Sequence, residues 1–248
     1  MKVLKEPDSY LKRKAVQNLS IMALCITVFT VLTLSDIPHS PLYIDVGRYE
    51  GPRALLLFFP FFFAFYFFRK YSGYKQGYEG ENKVGKILSS TLSDEYYLIN
   101  DIMVSDGYGN IDHVVLGPNG IFVIETKNYG GKIVCYGDEW TRQYTSKKPG
   151  RLSRFIHFEL GSPSKQAKRN SVRIKRVIES SETFKCRRIW IQGIVVFANQ
   201  NVGLNINNPT LPILKIGELP SFIVTRKSNI QFTLQEIELM GKEILRQT

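Results

Sequence analysis

Asp112, Glu125 and Lys127 sit on either side of the run Gly117-Pro118-Asn119-Gly120, which separates two apolar stretches at residues 111–116 and 121–127. Turn residues between stretches rich in Ile and Val predict a β-hairpin. If Gly117 faces Gly120, then Leu116 faces Ile121, Val114 faces Val123 and Asp112 faces Glu125. Side chains alternate along a strand, so Asp112, Val114, Leu116, Ile121, Val123, Glu125 and Lys127 share one face. Directly opposed carboxylates lie roughly 5 Å apart at Cβ and repel each other. A divalent cation relieves that repulsion, and oxygen ligands suit Mg²⁺ (or Mn²⁺) where a phosphate is the substrate. Lys127 is placed to orient an attacking water or to hold a phosphate oxygen. A solvated salt-bridge cluster uses the same residue types, and spacing alone leaves both readings open.

The elements that must position these residues are legible around them. Residues 79–92 read as a helix whose packing side, with Val84, Gly85 and Leu88, also carries Glu81. Strands are predicted over residues 96–104, 132–136, 188–197 and 211–216, with Asp138, Glu139 and Trp140 at a turn. Ser162 as N-cap and Pro163 at the first helical position start a helix that runs to about Ile178, with Gln166 in its first turn. A short helix follows over 219–225, and Thr233 with Glu236 makes a capping box for the last one. His113 alternates to the other hairpin face, where it packs or hydrogen-bonds and is no base. The sum is one mixed α/β domain with antiparallel strands at its centre.

Charge is local. Residues 142–188 hold 14 basic and three acidic side chains, a net of +11, equal to the formal net charge of the whole chain. Such a segment suits nucleic-acid phosphates or anionic lipid headgroups. Lys165, Lys168, Arg169 and Arg173 on the helix after Pro163 are the candidate nucleic-acid contacts, and Tyr144, Phe155, His157 and Phe158 could stack on bases. The three cysteines, Cys25, Cys135 and Cys186, have no paired spacing and indicate neither a zinc site nor a disulfide framework.

The first seventy residues differ from the rest. Residues 15–34 are uncharged, and eight of the sixteen Phe fall between Phe58 and Phe68. Two transmembrane helices are predicted, at about 15–34 and 53–70, the second kinked at Pro60. Lys2, Lys5, Lys12, Arg13 and Lys14 precede the first span, and Arg69, Lys70 and Lys75 follow the second. Basic residues favour the cytoplasmic side, so both termini are expected in the cytosol and residues 35–51 outside. The predicted organisation is a basic tail (1–14), a transmembrane hairpin (15–71) and a cytosolic domain (72–248) at the cell membrane.

Gly80-Glu81, the run from Gly109 to Lys127 through Ile111-Asp112-His113, Gly117-Pro118-Asn119-Gly120 and Glu125-Thr126-Lys127, then Gly131, Trp140, Pro163 and Gln166, resemble the nuclease-related domain family, NERD. The resemblance covers about residues 78–178. It implies the restriction-endonuclease-like PD-(D/E)xK fold, a mixed central sheet flanked by helices. It also implies metal-dependent hydrolysis of nucleic-acid phosphodiesters, DNA ahead of RNA. On that likeness Asp112 and Glu125 are the metal ligands and Lys127 the catalytic lysine, while Glu81 is the helix carboxylate near the metal and Gln166 the glutamine of the later helix. The competing expectation is a non-catalytic module of the same fold that binds nucleic acid, anionic lipid or protein at the membrane.

Overall fold

A computed structural model describes residues 1–7, 10–35, 50–104, 108–143, 157–159 and 161–247. Residues 36–49 of the expected outer loop lie outside these, as do residues 144–156, with Tyr144 and Phe155, and the side chains of His157 and Phe158. The chain begins with strand β1 (Lys2–Lys5), then helices α1 (Tyr10–Leu34) and α2 (Glu50–Thr91). Strands β2 (Tyr97–Ile102), β3 (Ile111–Gly117), β4 (Gly120–Lys127), β5 (Gly131–Tyr136), β6 (Glu139–Gln143) and β7 (His157–Glu159) follow. Helix α3 (Pro163–Glu179) leads to β8 (Ile191–Phe197), β9 (Val202–Asn207) and β10 (Ile213–Lys215), and the chain closes with α4 (Leu219–Thr225) and α5 (Leu234–Arg246). Two compact units result: Met1–Asp8 with Glu79–Thr248, and Ser9–Tyr78.

In the larger unit the main sheet runs β1-β2-β3-β4-β8-β10. The predicted hairpin register holds from Gly117↔Gly120 to His113↔Ile124. Parallel β8 extends the hairpin on its far side, from Ile121↔Ile191 to Lys127↔Phe197. One sheet face, with Val114, Leu116, Ile121 and Val123, packs on Ile174 and Ile178 of α3 and Ile237 and Met240 of α5. The other, with Val115, Phe122 and Ile124, packs on Val84 and Leu88 of α2 and Leu219 and Ile223 of α4. Helices on both faces explain why β4 reads as a nearly continuous apolar run. A second sheet, ordered β7-β6-β5-β9, closes over Ile133, Cys135, Trp140, Ala167 and Phe197.

The Gly-Pro-Asn-Gly turn is an anchor. A Cβ at Gly117 would sit 2.3 Å from the Tyr96 ring, and one at Gly120 (φ 141°) 2.5 Å from the Trp190 ring. Between them the Asn119 amide donates to the carbonyls of Ile223 (2.7 Å) and Arg226 (3.0 Å), which ties the hairpin to the end of α4.

Residues 2–5 are not a tail. They form β1, a parallel edge strand on β2, with Lys2↔Tyr97 and Val3↔Leu98. Val3 packs into one core face and Leu4 into the other. Leu4→Asp should therefore destabilise the larger unit by about 1–2 kcal/mol, a few degrees in Tm. Thermal unfolding of the full chain in detergent measures it, and an unchanged Tm would mean that β1 does not dock.

In the smaller unit α1 and the first part of α2 run antiparallel. Phe29 and Phe61 meet at 6.3 Å between ring centroids, and Leu11 would touch a Cβ at Gly77 at 3.4 Å. The expectation of two membrane helices needs correction. Among the described residues only Tyr10–Leu34 is long and apolar enough to cross a membrane, a test that a signal sequence also passes. The second apolar run is no separate helix: α2 continues through Pro60 to Thr91. Its apolar part is too short, and the charges and tyrosines from Arg69 onward follow at once.

Candidate active site

Four of the predicted residues converge at the C-terminal end of β4. The hairpin ladder ends at His113↔Ile124, so Asp112 and Glu125 are not a ladder pair. Instead the Asp112 carboxylate accepts a hydrogen bond from the Thr126 backbone N–H at 2.6 Å, capping the strand end. Glu125 is 4% exposed. Its Oε1 accepts from Lys127 Nζ at 2.7 Å and its Oε2 from Asn170 Nδ2 at 3.2 Å. Glu81 enters from α2. The helix comes close here because residue 80 is glycine, where a Cβ would lie 2.7 Å from Asn128 Cβ and 3.5 Å from Thr126 Cγ2.

The electrostatics show Glu81, Asp112 and Glu125 grouped with the Lys127 ammonium, and Asp101 adds to the negative field at Glu81. Burial, then Asp101 and Glu125, push the Glu81 carboxyl up to about 7. Burial, then Glu125 and Glu81, raise Asp112 well above the usual carboxylate range, against the opposing pull of Lys127. Burial alone would lower the Lys127 pKa, but Glu125 and Asp112 outweigh it and the net shift is upward. The crowding of carboxyl groups here penalises their ionised forms.

His113 is neutral. Burial lowers its pKa to about 3, and its Nδ1 pairs with Asn100 Oδ1 at 2.8 Å. Asn100 in turn donates to the Lys5 carbonyl at 2.9 Å, linking β3 through β2 to β1. The expected packing and hydrogen-bonding role holds.

Helix α3 starts as predicted, with the Ser162 hydroxyl accepting from the Lys165 N–H. Gln166 is half-buried one turn before Asn170, and the described residues give its side chain no hydrogen bond. Asn170, absent from the sequence reading, is the α3 residue that reaches the carboxylates. Its Oδ1 accepts from the Arg173 guanidinium at 3.0 Å, and Arg173 also donates to the carbonyls of Gly109 (2.8 Å) and Tyr108 (3.2 Å). A chain of bonds thus runs from the loop before Asp112 through Arg173 and Asn170 to Glu125. The signal was present, since Asn170 is a polar residue on the stripe of Ala167, Ile174 and Val177.

Two of the four expected nucleic-acid contacts are engaged internally. Arg173 is 4% exposed, so it is a structural cation and not a surface one. Lys168 pairs with Asp138 at 2.7 Å; that bond, with those from Ser164 and Thr210, holds Asp138 well below the usual range. Lys165 and Arg169 are exposed, with Arg169 lying 5.0 Å from the Tyr108 ring centroid.

The geometry lends itself to holding a hard cation and an anionic substrate at one strand end. Among the described residues no group of three or more His, Cys, Asp or Glu side chains forms a ready metal cage. Mg²⁺ does not need one: it commonly takes one or two carboxylates and fills its shell with water and substrate oxygens.

Comparison with known proteins agrees with this architecture. The family model of the nuclease-related domain matches residues 76–198, from the last turns of α2 to the end of β8. An uncharacterized protein of Bacillus anthracis is 40% identical over 80 residues, 29% of this chain and 37% of that relative, so the match spans little more than a third of the relative's length. No solved structure matches. With Gly80-Glu81 of α2, the anchored hairpin and the Asp-Glu-Lys strand end all inside the matched segment, residues 76–198 of this chain form a nuclease-related domain of the NERD family.

Proposed function

We propose that this chain hydrolyses phosphodiester bonds of nucleic acid, DNA ahead of RNA, with Mg²⁺ or Mn²⁺ held by Asp112 and Glu125. The observation that carries the reading is the cluster of buried carboxyl groups at the β4 end, where Glu81, Asp112 and Glu125 lie in the field of Lys127. A bound divalent ion would supply charge neutralisation at the scissile phosphate and a more acidic water. Lys127, released from Glu125, orients that water and offsets charge building on the phosphate oxygens. Asn170 holds the Glu125 carboxylate in place, and Glu81, poised to titrate near neutrality, can take up or give a proton close by. Lys165 and Arg169 steer the nucleic-acid backbone toward the site.

One observation favours the rival, a binding module without chemistry: both Glu125 oxygens already have partners within the protein. Incubating the full chain in detergent with labelled single- and double-stranded DNA and RNA, with Mg²⁺, Mn²⁺ or EDTA, separates the two. Metal-dependent cleavage supports the enzyme, and binding without cleavage under either metal supports the module.

We further propose that the domain works at the cytosolic face of the cell membrane. Strand β1 precedes α1, yet it pairs with β2, which follows α2. If α1 crosses a membrane, the chain must return to the same side before Glu79 for the two strands to pair. The basic residues before α1 and from Arg69 onward favour the cytosol. Cysteine labelling tests it: Asp45→Cys should react from outside and Asp94→Cys should not.

A further inference from the structure

At the opposite end of the sheet from the carboxylates, a cavity of about 430 Å³ opens beside Trp190 and the loop after α4. Arg188, Arg226 and Lys227 line it together with Ser228 and Asn229, and no acidic residue does. Three cations facing one cavity repel each other unless an anion lies between them. Exposed arginines usually pay a large entropy to bind, but Arg226 is already braced. Its guanidinium lies 5.5 Å from the Trp190 ring centroid and 5.8 Å from that of Phe222. Its backbone is fixed as well, because Asn119 of the hairpin turn donates to the Arg226 carbonyl at 3.0 Å. Trp190 is held in turn against Gly120, where no Cβ would fit, and by the Ile121 N–H bonded to its carbonyl. The hairpin that ends in Asp112 and Glu125 therefore fixes this pocket with its turn.

We propose that this pocket is a second anion site, which takes a phosphate group. The planar guanidiniums of Arg226 and Arg188 offer paired N–H donors that match phosphate oxygens, Lys227 adds a point charge, and Ser228 and Asn229 add neutral donors. A carboxylate ligand would leave most of these donors unused. The phosphate has two sources, a nucleic-acid strand or a free phosphate. From Gly120 to Glu125 the strand rises roughly 17 Å, so a strand lying along the sheet can occupy both places at once.

Trp190 reports on the site. The only other tryptophan, Trp140, is 3% exposed in the second-sheet core. The full chain in detergent and EDTA is titrated with inorganic phosphate, and then with a 5′-phosphorylated oligonucleotide, while tryptophan emission is followed. A saturable change is expected, with each of Arg226→Gln and Arg188→Gln weakening the apparent affinity roughly tenfold. An oligonucleotide that displaces phosphate identifies the strand as the source, and phosphate binding without displacement identifies the free anion. No saturable change with either ligand, or an unaltered affinity in the double variant, overturns the site. Cleavage plays no part in the readout, so failure of this pocket is distinct from failure of the nuclease reading.

Discussion

Lys127→Ala should lower the rate of phosphodiester cleavage by a factor on the order of 10²–10³, the scale of removing one preorganised charge from a developing phosphorane. Nucleic-acid affinity should change by no more than about twofold, because the exposed cations proposed to contact a backbone, Lys165 and Arg169, lie on α3. The alanine variant alone would be ambiguous. Lys127 is the hydrogen-bonded cation of Glu125, whose side chain is 5% exposed, and its loss leaves a buried carboxylate without its partner. Lys127→Gln is the control, since its amide can still donate to Glu125 Oε1 while the charge is gone. If the charge acts in the transition state, both variants lose kcat with KM nearly constant. If Lys127 serves only to hold Glu125, the glutamine variant retains most of the activity. Wild-type kcat in both variants would remove Lys127 from the mechanism altogether.

The parts of this fold that were readable had strong local signals. Hairpin register followed from turn chemistry and period-2 alternation, and the α3 and α5 starts from their caps. What escaped was short, or depended on tertiary neighbours. Lys2–Lys5 is too brief to show a period, and only its docking on β2 makes it a strand. Trp140 was expected at a turn but lies in β6, because the turn is the two residues before Glu139 and the strand is completed by pairing with β5. β9 alternates Val202, Leu204 and Ile206 with Gly203, Asn205 and Asn207, and those polar residues hid it. At the site, residue types identified the Asp-Glu-Lys strand end, while Arg173 was misread because a helix's basic residues look alike until one is buried. Burial also singles out Asn170. The four carbonyl, amide and carboxylate groups tied by Asn170 and Arg173 come from three separate elements, a relation that no local window contains.

Stability without metal should fall as pH rises from about 4.5 to 7, and Glu81 sets this window. Its carboxyl is raised from 4.5 to about 7 in the folded protein. A group with a raised folded pKa binds more protons folded than unfolded between those values, so unfolding becomes easier as pH climbs. Full ionisation of Glu81 costs on the order of 3 kcal/mol, since one pKa unit is about 1.4 kcal/mol. Asp112 is shifted in the same direction and steepens the loss from about pH 4 upward. Glu81→Gln should therefore be more stable than wild type at pH 8 in EDTA, by several degrees in Tm, and indistinguishable from it at pH 4. Adding Mg²⁺ at pH 8 should raise the wild-type Tm, because an ion that binds only the folded carboxylates stabilises by mass action, about 2.7 kcal/mol at a hundred times its Kd. The Mg²⁺ effect should shrink sharply in Asp112→Asn, which removes a proposed ligand and one of the repelling charges together. Thermal unfolding of the full chain across this pH range reads the wild type and both variants without any assay of activity. A wild-type Tm that is flat from pH 5 to 8 in EDTA would mean that the carboxylates are not crowded as the fold has them. A Mg²⁺ shift equal in wild type and Asp112→Asn would place the ion somewhere other than this strand end.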